Sequence, residues 1–489
     1  MINKKSILVI VMCICTLSVP AQHRSVTWEN LNAASLGFKP IGQLNTSHSK
    51  DLANSNWSVG CETLDRDYAT FDNYKQYVGE LGVKYARIQS GWAKCEKVKG
   101  KYEFEWLDKT VDGLIEMKVN PWMVLCYGNP MYKSGEKLGA RIFTDENTMA
   151  AWLNYVRATV KRYKTKVKEW EIWNEPNLGD NSQFAASYAN LLMNTVKVVK
   201  EEQPDAIIIG FALSQTPMNF VKEVFETLKA KNQEKIVDYL SFHPYVHNPD
   251  EANADIDALR ALAQSYDPDI KLYQGESGSP SILEWGHALN QYPWTEVSQA
   301  KWNLRRMAND WNRKIRSSIF TMVDLQYPNM LQSFGLICTN LEHKNIYKRP
   351  SFYAVKHMVN VLNAEVSSAG LIEHHATTSR EVTVLGVKKD KVFAAMIWYS
   401  DRIPSDDIRW EPVDITLKNT SLKNPVYLDL ITGKVYEIPK HQMKQIGKDL
   451  KFRGLPIWDS PTLIIEKDQL NYTGIQNNQQ TNFDTLGIM

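Results

Sequence analysis

A chain of 489 residues is longer than one ordinary hydrophobic core organises, so a large domain with a smaller companion is expected. It is 43% hydrophobic and 23% charged with a formal net charge of +2, which is a globular composition. That charge excludes electrostatic capture of nucleic acid or of an anionic membrane as the basis of function.

In chain order, residues 1–21 read as a secretory signal. Lys4 and Lys5 form its basic start, "SILVIVMCICTLSV" its apolar run, and Val19-Pro20-Ala21 a small-residue cleavage site. The apolar run, about 14 residues, is too short to span a bilayer, which takes about 20. No other segment has that length and apolarity, so an exported protein without an integral membrane segment is expected, either periplasmic or secreted. Beyond the signal, Cys61, Cys95, Cys126 and Cys338 are too few for a disulfide-built fold, and they are not spaced as a zinc site. Cys126, within "NPWMVLCYG", reads as a buried thiol; a Cys61–Cys95 bridge is left open.

Residues 22–54 show no long periodicity. From 55 to 362, short apolar runs alternate with amphipathic stretches: "NWSVG", "VKYARIQ", "NPWMVLCYG", "VKEWEIWNE", "AIIIGFAL", "VDYLSFHPY", "IKLYQGE" and "SSIFTMVDLQY". Each has strand length and reads as buried on both faces. The intervening segments are helical, as at 182–201, where Gln203-Pro204 ends the pattern. Eight units at roughly 37 residues each predict a (β/α)8 TIM barrel. The competing open, doubly wound sheet lacks its glycine-rich phosphate loop here. From 363 to 466 the pattern turns to short strands broken by turn residues, such as "PVYLDLITGKVYEIP", and predicts a β-sandwich-like accessory domain. The polar end, 467–489, is expected to be disordered.

A β/α barrel carries its active site at the carboxyl ends of the strands. Those ends supply Arg87, Tyr127, Asn174 with Glu175, His243 with Tyr245, Glu276, and Gln326 with Tyr327. Glu175 closes the fourth strand and Glu276 the seventh. Glycoside hydrolysis needs such a pair: one carboxyl protonates the leaving oxygen, and the other attacks the anomeric carbon or activates water. Arg87 is placed to keep Glu276 ionised and leave Glu175 protonated. Glu171, four residues back on the same strand, points as Glu175 does but deeper, and reads as structural. Trp92, Tyr127, Tyr132, Trp285 and Trp294 are rings that either stack on sugars or pack. There is no His-Glu-x-x-His, no phosphate-cradling loop, no Gly-x-Ser-x-Gly elbow and no calcium-loop spacing, so neither metal nor organic cofactor is expected.

"WEIWNEPNLGD" resembles the acid/base strand of clan A glycoside hydrolases, in particular family 39. "RIQSGWAKCEKVKGKYEFEWLD" and "VLCYGNPMY" resemble that family's second and third strand regions. The resemblance implies a retaining glycosidase acting on oligo- or polysaccharide, with Glu175 as acid/base and Glu276 as nucleophile. It further implies that Asn174 bonds the sugar 2-hydroxyl, that Arg87 and Tyr245 hold the nucleophile, and that His243 lines the site. Two features depart from the family: Gly275 precedes Glu276 where threonine is usual, and Gln326 and Tyr327 stand where the last strand often supplies a tryptophan. A non-catalytic glycan-binding barrel and a transglycosylase are the rival readings.

Overall fold

The computed structural model describes residues 28–34, 36–132, 145–178 and 184–475. The signal expected at 1–21 lies outside them.

The eight apolar runs close into a parallel barrel. Its strands are β1 (Trp57–Gly60), β2 (Tyr85–Gln89), β3 (Asn120–Leu125), β4 (Glu169–Ile172), β5 (Ile207–Ser214), β6 (Tyr239–His243), β7 (Lys271–Ser277) and β8 (Arg316–Ile319). Neighbours in sequence are neighbours in the sheet, and β8 returns to β1 with Ser317 opposite Trp57. That closure rules out the open doubly wound sheet. A helix follows each strand: α1 (Phe71–Leu81), α2 (Glu105–Glu116), α3 (Glu146–Tyr163), α4 (Ala185–Glu202), α5 (Met218–Lys229), α6 (Asn253–Tyr266), α7 (Glu296–Asn312) and α8 (Pro350–Val361). In α4 the periodic residues Tyr188, Leu191, Leu192, Val196 and Val199 are all buried, and the helix stops at Gln203 before Pro204. A capping box between Thr295 and Ser298 starts α7.

The run expected to form one last strand divides in two. β8 ends at Ile319, and Gln326 and Tyr327 belong to a separate hairpin in which Leu325–Tyr327 pairs with Met330–Gln332. The cause is Asp324 between them. It is fully buried, takes two hydrogen bonds from Arg349 at 2.7 and 2.9 Å, and also accepts from the Gly335 and Thr339 amides. Those loop amides bind the chain there, where a strand would need a ninth barrel neighbour.

The accessory domain is a sandwich of an eight-stranded and a four-stranded antiparallel sheet. Val384, Ile397, Tyr427 and Ile464 of the larger sheet pack against Ile415, Leu417 and Phe452 of the smaller one. The larger sheet also recruits both ends of the chain. Lys39–Leu44 pairs with Lys434–Glu437 on one side and with Tyr472–Gly474 on the other. The domain therefore starts before 363 and ends after 466, and the tail expected from 467 is ordered through 475. These strands, six and three residues long, are too short for periodicity to reveal.

Helix α7 fixes the sandwich to the barrel. Lys301, fully buried, donates to Asp459 at 2.5 Å and to the Asp407 carbonyl. Arg305, also fully buried, binds Asp250, Asn248 and the carbonyls of Ser400 and Arg402. Arg305→Ala would take the paired cation from Asp250, leaving it the neutral donors Asn309 and Trp398, and would remove the donor to the Arg402 carbonyl. It is expected to lower unfolding free energy by about 3 kcal/mol, read as a fall in the urea midpoint at unchanged slope. A midpoint equal to wild type would show that this junction contributes nothing to stability. Cys61, Cys95 and Cys126 are buried free thiols, so the Cys61–Cys95 bridge is not formed.

Candidate active site

Strand β4 shows how the sequence builds the site. Side chains alternate across a strand. Trp170 and Ile172 take the outer face, with Trp170 Nε1 bonded to Gln203 Oε1, while Glu169 and Glu171 point into the barrel. At the base of the barrel, Glu169 pairs with Arg316 at 2.6 Å, and that guanidinium lies 3.5 Å from the Tyr85 ring centroid. One layer higher, Glu171 accepts from Arg87 Nε at 2.7 Å. Beyond the strand, Trp173 and Glu175 both have positive φ, and this sharp turn carries Asn174 and Glu175 onto the rim. The Glu175 amide donates to the Ala212 carbonyl of β5, and the Asn177 side chain bridges both backbone groups of Ser214, so the turn is held from its neighbour.

Arg87 is the hub. It is fully buried and uses its whole fork: Nε to Glu171, Nη1 to Glu62 at 2.8 Å and to Glu276 at 2.9 Å, and Nη2 to Asn174 Oδ1 at 2.7 Å. Tyr245 donates its hydroxyl to the other oxygen of Glu276 at 2.8 Å. Both oxygens of Glu276 are thus held by donors. Asn174 in turn donates to the Tyr127 hydroxyl at 2.8 Å, which leaves one amide hydrogen for a ligand.

Glu175 has a different environment. Burial pushes its carboxyl up to about 7, against the pull of Arg87 and a Ser214 hydrogen bond. Its oxygen lies 3.1 Å from His243 Nδ1. Burial holds His243 down to about 4, so the ring is neutral and adds no charge that would strip Glu175 of its proton. Glycine at 275 is a packing necessity: a Cβ there would lie 2.3 Å from Ser241 Oγ and 3.2 Å from His243 Nε2. The departure from the family's threonine follows from the closeness of β6.

Of the residues singled out in the sequence, Arg87, Tyr127, Asn174, Glu175, His243, Tyr245 and Glu276 come together. Arg87 does so from inside β2, two residues short of its end. Tyr327 reaches the same mouth from the hairpin, with its ring 4.7 Å from that of Tyr68. Gln326 does not close a barrel strand; its amide donates to the Tyr68 carbonyl. Trp92 offers no face to a sugar. It is fully buried, donates to Glu96, and stacks on Tyr132 and Tyr155. Trp294 is likewise buried, whereas Trp285 is 78% exposed. Sequence reasoning missed Glu62, two residues past β1; the strand-end rule finds it when extended by one turn of the loop.

Glu175, His243 and Glu276 each place an oxygen or nitrogen within 4.8 Å of the others. A cation held there would occupy both carboxyls. Left to act on a ligand, one protonated and one hydrogen-bonded carboxyl brought together from β4 and β7 form the acid pair of a glycoside hydrolase site. Residues 46–272 match the family described as "Glycosyl hydrolases family 39", a stretch that includes Glu175 and stops four residues short of Glu276. The protein is a glycosidase resembling that family.

Among similar solved structures are a family 39 glycoside hydrolase from the gut symbiont Bacteroides cellulosilyticus WH2 and a monomeric beta-xylosidase from Caulobacter crescentus CB15. The first is 18% identical over 87% of this chain and 83% of its own, with a TM-score of 0.65. The second is 18% identical over 87% and 97%, with a TM-score of 0.54. The family 39 enzyme from Xanthomonas axonopodis pv. citri is 17% identical over the same shares, at 0.56. At such identities the likeness establishes a shared fold.

Proposed function

We propose that the protein is an exported, retaining glycoside hydrolase that cleaves oligo- or polysaccharide by double displacement. The observation that carries this reading is the closeness of the two carboxyls, which bring an oxygen each to within 4.8 Å. Retaining enzymes hold the pair about 5–5.5 Å apart, whereas inverting ones leave about 6.5–9.5 Å for a water. In the first step Glu276 bonds to the anomeric carbon as the glycosidic bond breaks, and Glu175 gives its proton to the leaving oxygen. In the second, Glu175 takes a proton from water as that water attacks the anomeric carbon and frees Glu276. Export rests on the basic-apolar-small pattern of residues 1–21. No helix among the described residues is long and apolar enough to cross a membrane. Transfer to an acceptor sugar would use the same two acids. A purely glycan-binding role is disfavoured because both acids and their supports are in place.

The test is a panel of 4-nitrophenyl glycosides, starting with β-D-xyloside, β-D-glucoside and β-D-galactoside, and of plant and bacterial polysaccharides. Binding without hydrolysis anywhere on the panel would contradict the reading. For a substrate whose leaving group needs protonation, the acid form of Glu175 is the active one. Activity should therefore fall as pH rises through about 7, with Glu175 alone contributing up to tenfold per unit above it. A flat profile from pH 6 to 9 would remove Glu175 from the acid role.

A further inference from the structure

Arg87 carries one positive charge and faces three carboxyls, those of Glu62, Glu171 and Glu276, all within 2.9 Å of the guanidinium. Two of the three sit on the same nitrogen: Nη1 sends one hydrogen to Glu62 and the other to Glu276. Three carboxylates on one cation would leave an excess of two negative charges in a site from which Glu62 and Glu171 have no access to solvent. Glu62 is suited to be the neutral member. Glu62 and Glu171 each bury one oxygen without a hydrogen-bond partner, Oε2 and Oε1 respectively, a position unfavourable for an anion and tolerable for an acid; Glu62 differs in sharing Nη1 with Glu276, whereas Glu171 is bound by Nε.

Resting on the glycosidase reading, we propose that Glu62 is a positioning residue for the nucleophile: as the neutral acid it fixes Arg87 and leaves the guanidinium charge to Glu276, and as an anion it takes that charge away. Burial, with Glu276 and Glu171 adding to it against Arg87, raises Glu62 to about 8, which places the change within working pH. The groups facing Glu62 from the surrounding elements are Arg87 on β2, Glu171 on β4, Glu276 on β7, Cys61 beside it, Tyr74 on α1, Tyr245 after β6 and Tyr327 on the hairpin. The hydroxyls of Tyr74 and Tyr245 and the Cys61 thiol are pushed far up by burial, and Tyr327 up to about 12. None of these four changes charge between pH 7 and 9.

The experiment compares wild type with Glu62→Gln, which keeps the shape and an oxygen for Nη1 but cannot ionise. The substrate is the 2,4-dinitrophenyl glycoside of the panel's best sugar. Its leaving group needs no acid, so Glu175 drops out of kcat/KM, which reports only glycosylation. Below pH 7 the two enzymes should agree within about twofold. Above pH 8 wild type should lose about tenfold per unit while Glu62→Gln stays level. Superimposable profiles, or a variant reduced equally at every pH, would overturn the proposal. A second readout needs no substrate: in protein labelled with 13C at the glutamate carboxyls, the resonance lost in Glu62→Gln should titrate near pH 8 in wild type. Titration in the ordinary carboxylate range would overturn the proposal whether or not the glycosidase reading holds, and absence of turnover on the panel would refute that reading alone.

Discussion

Glu175→Ala is expected to slow hydrolysis of natural glycans by about 10²–10⁴-fold, the usual contribution of general acid catalysis, which a sugar hydroxyl leaving group needs. Glu175 suits the role by its surroundings: burial keeps a proton on it near neutral pH, and neutral His243 lies at 3.1 Å without a charge to displace that proton. The loss should shrink with 2,4-dinitrophenyl glycosides, whose leaving group departs unprotonated. Glycosyl-enzyme should then accumulate, since the general base for its hydrolysis is missing too, and azide should restore turnover. Azide would attack the glycosyl-enzyme from the face the sugar's leaving group vacated, so the glycosyl azide should keep the substrate's configuration. Wild-type rates on a glycan would remove Glu175 from the mechanism.

The second large effect is expected at Glu276. Glu276→Ala removes the attacking carboxylate and should lower turnover on the order of 10⁵-fold on every substrate, activated leaving groups included. Azide should then attack the anomeric carbon directly from the vacated side, giving a product of inverted configuration. The opposite stereochemistry of the two azide products separates the two roles within one assay. Stability should move the other way. Glu276 is one of three carboxyls on Arg87, so its removal relieves negative charge around a buried cation, and Tm should equal or exceed that of wild type. A substantially lower Tm would mean that Glu276 acts mainly as a structural partner of Arg87.

The site was largely legible in the sequence because a barrel converts strand order into position. "WEIWNEPN" alternates apolar and acidic residues, and alternation placed Glu171 on the same side as Glu175 but deeper, where it binds Arg87. Seven of the ten residues singled out meet around Arg87 and the two acids. The misses have physical causes. Trp92 has the chemistry of a sugar platform, but the short helix Trp92–Cys95 turns it into a cluster with Trp152 and Tyr155, and residue type does not report direction. Gln326 and Tyr327 read as the end of the last barrel strand because an apolar run hides the break that Asp324 makes by binding Arg349 and loop amides. Glu62 escaped because its importance lies in a partner 25 residues away, and no local pattern announces a shared guanidinium. The sandwich was readable from its turns, but the strands it borrows from the two ends of the chain were not, since pairing over some 430 residues is a tertiary fact.

The most direct test of the double-displacement account is to trap its intermediate. A 2-deoxy-2-fluoro glycoside of the preferred sugar, carrying 2,4-dinitrophenolate as leaving group, slows both steps but the second more, so a covalent adduct accumulates. Proteolysis and mass spectrometry should find that adduct on Glu276. A label on Glu175 or Glu284, or no adduct together with a first-formed product of inverted configuration, would contradict the account.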